Sequence, residues 1–344
     1  MAGKKLGLPS ESDRPLSGFS FFLRGPVFSA FLILLIGGVL LFSYEMLEPV
    51  LTMYAGAPSV AAREVSLSEP TVPETDKPDP NATGEKFLRV AVAPLLSPRR
   101  TMELYGPLTE FLARRVGRTP MLLQRHCYGD INELLRWGQC DVAVVGTYAL
   151  VQGERDFGME ILAVPEAGGI GGHCSYIIAP QSSTASSLLD LRGKRFAFVD
   201  FLSDTGWLFP ATWLIEHAED PRNFFREQVI TEAHDTSIRA VAKGFVDAAA
   251  VDSVIYDRML KEHNWTERDT KVITVSPAFG LPPLVVHPAL DPILRQMLGE
   301  ALFEMGGDED GRKALSLLGV DRFVPGNPSA YDDVRRQADK VEKY

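Results

Sequence analysis

The chain has 344 residues, 45% of them apolar and 23% charged, a globular make-up of about two folding units that excludes a wholly disordered, collagen-like or multi-span membrane protein. With 45 acidic against 35 basic side chains the formal charge is −10, which argues against a nucleic-acid partner held by a diffuse basic surface. Three cysteines allow at most one bridge, so a disulfide-scaffold fold is excluded as well.

The charge is unevenly spread. Residues 1–26 carry Lys4, Lys5, Arg14 and Arg24 against Glu11 and Asp13, a net +2, whereas residues 45–86 carry three basic and eight acidic side chains, a net −5. Between them Val27 to Tyr44 (VFSAFLILLIGGVLLFSY) is uncharged and mostly apolar. As a helix this run would measure about 27 Å, enough to cross a bilayer core. Basic residues before it and Glu45 and Glu48 after it predict a cytoplasmic segment over 1–26, one transmembrane anchor over 27–44, and an exported remainder. A cleavable signal peptide is the rival reading. Its apolar region usually has about 7 to 15 residues closely followed by a small-residue cut site, and Ala55-Gly56-Ala57 lies more than ten residues downstream of the run. The sequence thus favours a single-pass protein of the bacterial inner membrane whose working part is periplasmic. Residues 45–86, with Pro58, Pro70, Pro73, Pro78 and Pro80 and almost no apolar periodicity, read as a disordered tether.

From Phe87 short apolar runs alternate with amphipathic stretches. FLRVAVAPLL (87–96) reads as a buried strand, followed by a helix near 101–116 with Leu104, Leu108, Phe111, Leu112 and Val116 on one face. PMLLQRHC (120–127), a short helix around INELLRWG, DVAVVG (141–146) and a helix from Tyr148 repeat the unit, which predicts a parallel sheet covered by helices on both faces. After MEILAV and CSYIIAP (174–180) the alternation restarts with RFAFVD (195–200), a helix over 207–218, QVITE, a helix over 236–243, AAAVDS (248–253) and a helix over 254–262. KVITVS and PLVVH follow, and then helices only. A helical block without strands must return to the first sheet. The expected architecture is therefore α/β with two lobes, lobe 1 about 87–175 and 280–344 and lobe 2 about 176–279, joined by two crossing segments and able to hinge about a cleft. The glycine run 168–172 (GGIGG) reads as a flexible loop before the hinge, since it does not complete a dinucleotide fingerprint.

In such sheets ligands bind beyond the carboxyl ends of strands, where N–H groups at helix starts are unpaired. The most informative candidate is FVDFLSDTGWLFP (198–210), in which Ser203, Asp204, Thr205 and Gly206 form a hydroxyl-rich turn opening a helix, able to cradle an anion or simply to cap the helix. His234 stands at the next strand-to-helix junction and can donate to an oxyanion; Asp252 ends the following strand, where it either accepts from a ligand or caps a helix. In the first lobe Tyr148 follows the strand end VVGT and Tyr105 lies just off the apolar stripe of its helix.

Together these segments resemble the substrate-binding proteins of phosphate, phosphite and phosphonate ABC transporters, which have the type 2 periplasmic-binding fold. The resemblance spans roughly 87–335 and rests on LLDLRGKRFAFVD with its Ser-Asp-Thr-Gly turn, DPRNFF (220–225), HDTSIRAVAKGFVDAAAVDSVIYD and FVPGNPSAYDDVR, in matching order and spacing. It implies a two-lobed clamp around a small oxyanion, with ligand-binding roles for Ser203, Thr205, Gly206, His234, Tyr105, Tyr148 and Asp252. The family turn commonly carries a hydroxyl where this chain has Asp204, and a carboxylate beside a doubly charged ligand repels it unless it points away or caps the helix. Some relatives resemble arsenic-oxyanion sensors, which makes Cys127, at a strand end facing the cleft, a possible thiol ligand; the alternative is a small residue filling core space.

An enzyme is not expected: G-x-S-x-G, H-E-x-x-H and C-x-x-C are missing, and six histidines are scattered without metal-ligand spacing, so neither metal nor cofactor is implied. The expected partner is an ABC permease receiving the ligand, or alternatively a membrane histidine kinase that senses it.

Overall fold

The computed structural model describes residues 86–167 and 172–344. The expected cytoplasmic segment and anchor, nearly all of the expected tether, and residues 168–171 of the glycine run lie outside the described residues. Among the described residues no helix is long and apolar enough to cross a membrane.

In chain order the first elements are β1 (Phe87–Val92), α1 (Pro98–Arg115), β2 (Thr119–Gln124), α2 (Tyr128–Arg136), β3 (Val142–Val144), α3 (Thr147–Phe157) and β4 (Glu160–Glu166). Lobe 2 follows with β5 (Ser175–Pro180), β6 (Arg195–Phe198), α4 (Phe209–Glu216), β7 (Glu227–Ile230), α5 (His234–Ala242), β8 (Ala248–Asp252), α6 (Ser253–Glu262), α7 (Trp265–Asp269) and β9 (Thr270–Val275). The chain then supplies β10 (Leu284–Val286), α8 (Pro292–Phe303), α9 (Glu309–Leu318), β11 (Arg322–Val324) and α10 (Asp332–Glu342). Two sheets result, ordered β11-β4-β10-β3-β1-β2 and β7-β6-β8-β5-β9. This is the mixed α/β, two-sheet architecture of the periplasmic-binding fold.

Two details differ from the sequence expectation. The sheets are mixed, because β10 runs antiparallel between β3 and β4, and β5 runs antiparallel to both β8 and β9. The terminal block is not purely helical either: β11 pairs antiparallel with β4 through three residues, too few to show a period of their own.

Alternation along lobe 2 strands sorts their side chains. Phe196 and Phe198 of β6, Ala248 and Ala250 of β8 and Ile177 of β5 join one buried cluster with Leu208, Phe225 and Phe279. Ala197, Val199, Ala249, Val251 and Ile178 join the other, which also contains Leu88, Val90, Val142 and Val144 of the first sheet. A single apolar cluster therefore draws on both lobes. Burying apolar side chains contributes about 25 cal/mol per Å² removed from water, so a shared cluster favours the lobes' association.

The crossings are paired with each other. His173 and Phe279 exchange two backbone hydrogen bonds, of 2.9 and 2.7 Å, forming one antiparallel bridge. A Cβ on Gly172 would stand 2.1 Å from the Phe279 carbonyl oxygen, so only glycine allows this approach. α10 spans the lobes: Arg335 pairs with Glu154 on α3 at 2.8 Å, while Lys340 pairs with Glu216 on α4.

Candidate functional site

The two sheets point the carboxyl ends of matching strands at each other. After β1 come Leu95 and Ser97, after β2 Tyr128, after β3 Thr147; opposite them lie Asp200 and Asp204 after β6, His234 and Asp235 after β7, and Asp252 ending β8. The loops meet directly. The Ser97 backbone N–H and hydroxyl donate to Asp235 at 2.8 and 2.7 Å, and the His234 N–H donates to the Leu95 carbonyl at 3.1 Å. The Tyr128 N–H donates to Asp200 Oδ2 at 3.0 Å, and the Thr147 hydroxyl to Asp204 Oδ2 at 3.1 Å.

The turn at Asp204–Leu208 is one wide, π-type turn running into α4. Ser203 caps it, its Oγ accepting from the Gly206 N–H at 3.0 Å. The N–H groups of Trp207 and Leu208 donate to the Ser203 carbonyl at 3.1 and 3.0 Å. The first N–H groups of a helical turn have no partner within it, and here these belong to Asp204 and Thr205. Gly206 is obligatory: a Cβ there would stand 2.7 Å from Val199 Cβ and 2.8 Å from Ser203 Oγ. Ser203, Asp204 and Thr205 are each only 2% exposed.

His234 is buried, and its Nδ1 accepts from the Asp252 backbone N–H at 2.9 Å. That bond leaves Nδ1 without a hydrogen. Burial pushes the ring's pKa down to about 4 despite the nearby Asp252 carboxylate, so the imidazole is neutral with its hydrogen on Nε2. Nε2 lies 3.5 Å from the Tyr128 hydroxyl. Burial raises both phenols, Tyr105 to about 12 and Tyr128 well above the ordinary value, which keeps them protonated donors. Asp252 is also a helix cap: Oδ1 accepts from the Val254 and Ile255 N–H groups at 2.8 and 3.3 Å, and Oδ2 is in contact with His173 Nδ1. Burial opposes its charge, yet His173 and these bonds hold its pKa below the usual carboxylate value.

Ser203, Asp204, Thr205, Gly206, His234, Asp252 and Tyr105 are thus gathered at the lobe junction, although Asp252 is committed to capping α6 and holding His173. Tyr148 is placed elsewhere: its hydroxyl accepts from Gln152 at 3.2 Å, near Glu342 and Arg155 of the outer surface. Cys127 precedes α2 and stays a thiol, its pKa raised by burial and by Asp130. All three cysteines are free, and Cys140 is buried with its thiol pushed up to about 12.

Sequence reasoning missed two residues. Tyr128 immediately follows β2, a position at a strand's carboxyl end that could have drawn attention. Gly146 gives a second signal, since a Cβ there would meet the Tyr128 ring at 2.7 Å. His173, 3% exposed, lies on a crossing segment, and no periodicity or motif singles it out.

Two mixed α/β lobes joined by a pair of crossing segments are the architecture of solute-binding proteins. Residues 90–331 match the family model described as ABC transporter, phosphonate, periplasmic substrate-binding protein, and the chain belongs to this family. It is 27% identical over 248 residues, 68% of this chain and 77% of the relative, to the phosphate-import protein PhnD of Mycolicibacterium smegmatis. The fold is shared with a binding-protein component of an ABC phosphonate transporter from Pseudomonas aeruginosa, with TM-score 0.71, 22% identity, and coverage of 75% of this chain and 87% of that one. It is shared also with PhnD1 of Prochlorococcus marinus, solved with methylphosphonate, with TM-score 0.68, 16% identity, and coverage of 75% and 99%. Binding proteins of this kind work outside the cytoplasm and deliver small ligands to an ABC permease, and the family favours transport over the sensing alternative.

Proposed function

We propose that the domain captures a phosphonate-, phosphite- or phosphate-type oxyanion at the lobe junction and releases it, chemically unchanged, to its permease. The observation that carries this reading is the convergence of buried donors from both lobes. Lobe 2 would offer the N–H groups that open its turn, the Thr205 hydroxyl, the Ser203 hydroxyl now hydrogen-bonded to Tyr128, and His234 Nε2–H; lobe 1 would offer the half-buried phenol of Tyr105 and the buried one of Tyr128. Donors aimed at an anion in a water-poor interior form strong, charge-assisted bonds. The relatives named for phosphate import and solved with methylphosphonate support the same chemistry.

The apolar run 27–44 supports an inner-membrane anchor, with residues 45–86 as a tether holding the domain in the periplasm. Titration calorimetry of the full chain with methylphosphonate, phosphite, phosphate and arsenate tests the binding reading. At 100 times Kd a bound ligand adds about 2.7 kcal/mol of stability, a visible shift in melting temperature. Absence of heat and of any shift with all four ligands would refute it.

A further inference from the structure

Two helix ends of lobe 1 are tied to lobe 2. A helix leaves its last carbonyls without partners inside it, and at the end of α9 these include Leu315, Ser316, Leu317 and Leu318. The chain's own turn takes the first two: the Gly319 N–H donates to Ser316 and the Val320 N–H to Leu315, at 3.2 and 3.0 Å. Arg258 of α6 takes the other two across the gap, its Nη1 donating to the Leu317 carbonyl at 2.9 Å and its Nη2 to that of Leu318. A Cβ on Gly319 would stand 3.0 Å from Nη2, so glycine leaves the guanidinium its room.

Arg258 makes no ion pair among the described residues. It is a half-buried cation whose planar fork meets two carbonyls at the negative end of a helix, where positive charge is favoured. The start of α1 is committed in the same direction. Ser97, its N-cap residue, makes no side-chain bond to its own helix and gives its N–H and hydroxyl to Asp235. Arg100 of α1 also contacts Glu262, one turn beyond Arg258. Ser97, Arg100, Asp235, Arg258 and Glu262 line one cavity of about 250 Å³, so these contacts close a single seam. Arg258, Arg100 and Glu262 are not among the donors assigned to the ligand.

We infer that Arg258 is a positioning residue for binding, a latch that fastens α6 of lobe 2 to the end of α9 in lobe 1 and must release before the lobes part. It acts on a ligand only through that closure.

Three backbone amides report lobe separation, because each donates across the gap: Ser97 to Asp235, Tyr128 to Asp200 and His234 to Leu95. The Asp141 and Asp247 amides, bonded to Arg89 and Arg195 within their own lobes, are the controls. Hydrogen exchange read at single amides of the ligand-free full chain should be faster at the three by on the order of tenfold in Arg258→Ala, the scale of one hydrogen bond from a charged group, with both controls unchanged. Arg258→Lys keeps the charge without the fork; it should fall between, and it carries the test where the alanine variant does not fold. Faster exchange confined to Gly319 and Val320, or none at the three, would make Arg258 a local cap of α9 and overturn the inference. A second arm rests on the oxyanion reading: methylphosphonate should leave Arg258→Ala about tenfold faster than the wild type, at unchanged stoichiometry and with association within about twofold. Unchanged release from a variant whose three amides do exchange faster would also overturn it. A wild type that binds no phosphorus ligand sinks the oxyanion reading, and exchange then decides the latch alone.

Discussion

The two lobes are built alike at one end and differently at the other. At the amino ends of the sheets, Arg89 of β1 holds Asp141 just before β3, and Arg195 of β6 holds Asp247 just before β8. In each case the carboxylate accepts from the arginine's own backbone N–H, at 2.8 and 2.9 Å, and is gripped by the guanidinium, at 2.8 and 2.9 Å to Oδ1. Both pairs are 52 residues apart. At the carboxyl ends the likeness stops. Lobe 1 contributes phenols and a hydroxyl from Tyr105, Tyr128 and Thr147, whereas lobe 2 contributes Asp204, His234 and Asp252. The repeated end holds the sheet together; at the divergent end phenols and a hydroxyl of lobe 1 meet carboxylates, an imidazole and the Ser203 and Thr205 hydroxyls of lobe 2.

The largest effect should come from lobe 2. Ser203→Ala combined with Thr205→Ala removes two hydroxyl contacts to a charged ligand, and calorimetry should show affinity falling by about 3 to 6 kcal/mol, roughly a hundredfold to ten-thousandfold. Undiminished affinity would remove the turn from the site.

Lobe 2 should also carry opposing pH dependences. His234 falls from 6.5 when unfolded to about 4, so its contribution is complete above pH 6.5 and is lost as pH drops towards 4. Asp204 rises from 3.8 to about 6 through burial, opposed by His173 and Thr147, so its contribution is complete below pH 3.8 and is lost as pH climbs through 6. Each spans about 3 kcal/mol, and between pH 4 and 6 they cancel. Denaturant titrations of the ligand-free protein should show a steeper acid loss in Asp204→Asn and a gain on acidification in His234→Asn. Parallel curves for both variants would contradict the assigned protonation states.

The repeated pairs should differ in weight. The Asp141 side chain is 8% exposed against 33% for Asp247. Asp141→Ala leaves a half-buried arginine unpaired and should cost about 2 to 4 kcal/mol in chemical denaturation; Asp247→Ala should cost clearly less. Equal losses would show that burial does not set the difference. The smallest effect separates two tyrosines of lobe 1. Tyr128→Phe should weaken oxyanion binding by about 1 kcal/mol, roughly fivefold, while Tyr148→Phe should leave it unchanged. The reverse order would place the ligand nearer α3 than the described geometry does.

The fold class was legible because β1–β3 and β6–β8 write the same alternation twice, and short apolar runs ending in polar turns mark strand ends whatever surrounds them. The direction of β10 and the existence of β11 were not legible. Each is a three-residue strand whose partner is fixed by where the chain returns from lobe 2, a tertiary fact with no local signature. The turn at 203–206 announces itself through hydroxyls and glycine at a helix start. Asp252 could be read as cap or ligand, since both need a carboxylate at that point; its bonds to Val254 and Ile255 show that it caps α6. His173 was invisible because burial, not spacing, gives it meaning.

His173 serves the molecule twice, its main chain bridging to Phe279 and its ring in contact with Asp252 at the end of β8. Any movement at that joint therefore swings the imidazole, and any pull on the imidazole loads the joint. On the proposed reading, how tightly cargo is held and how fast the jaws part both depend on this one part, so variants there should trace a single line relating dwell time to affinity.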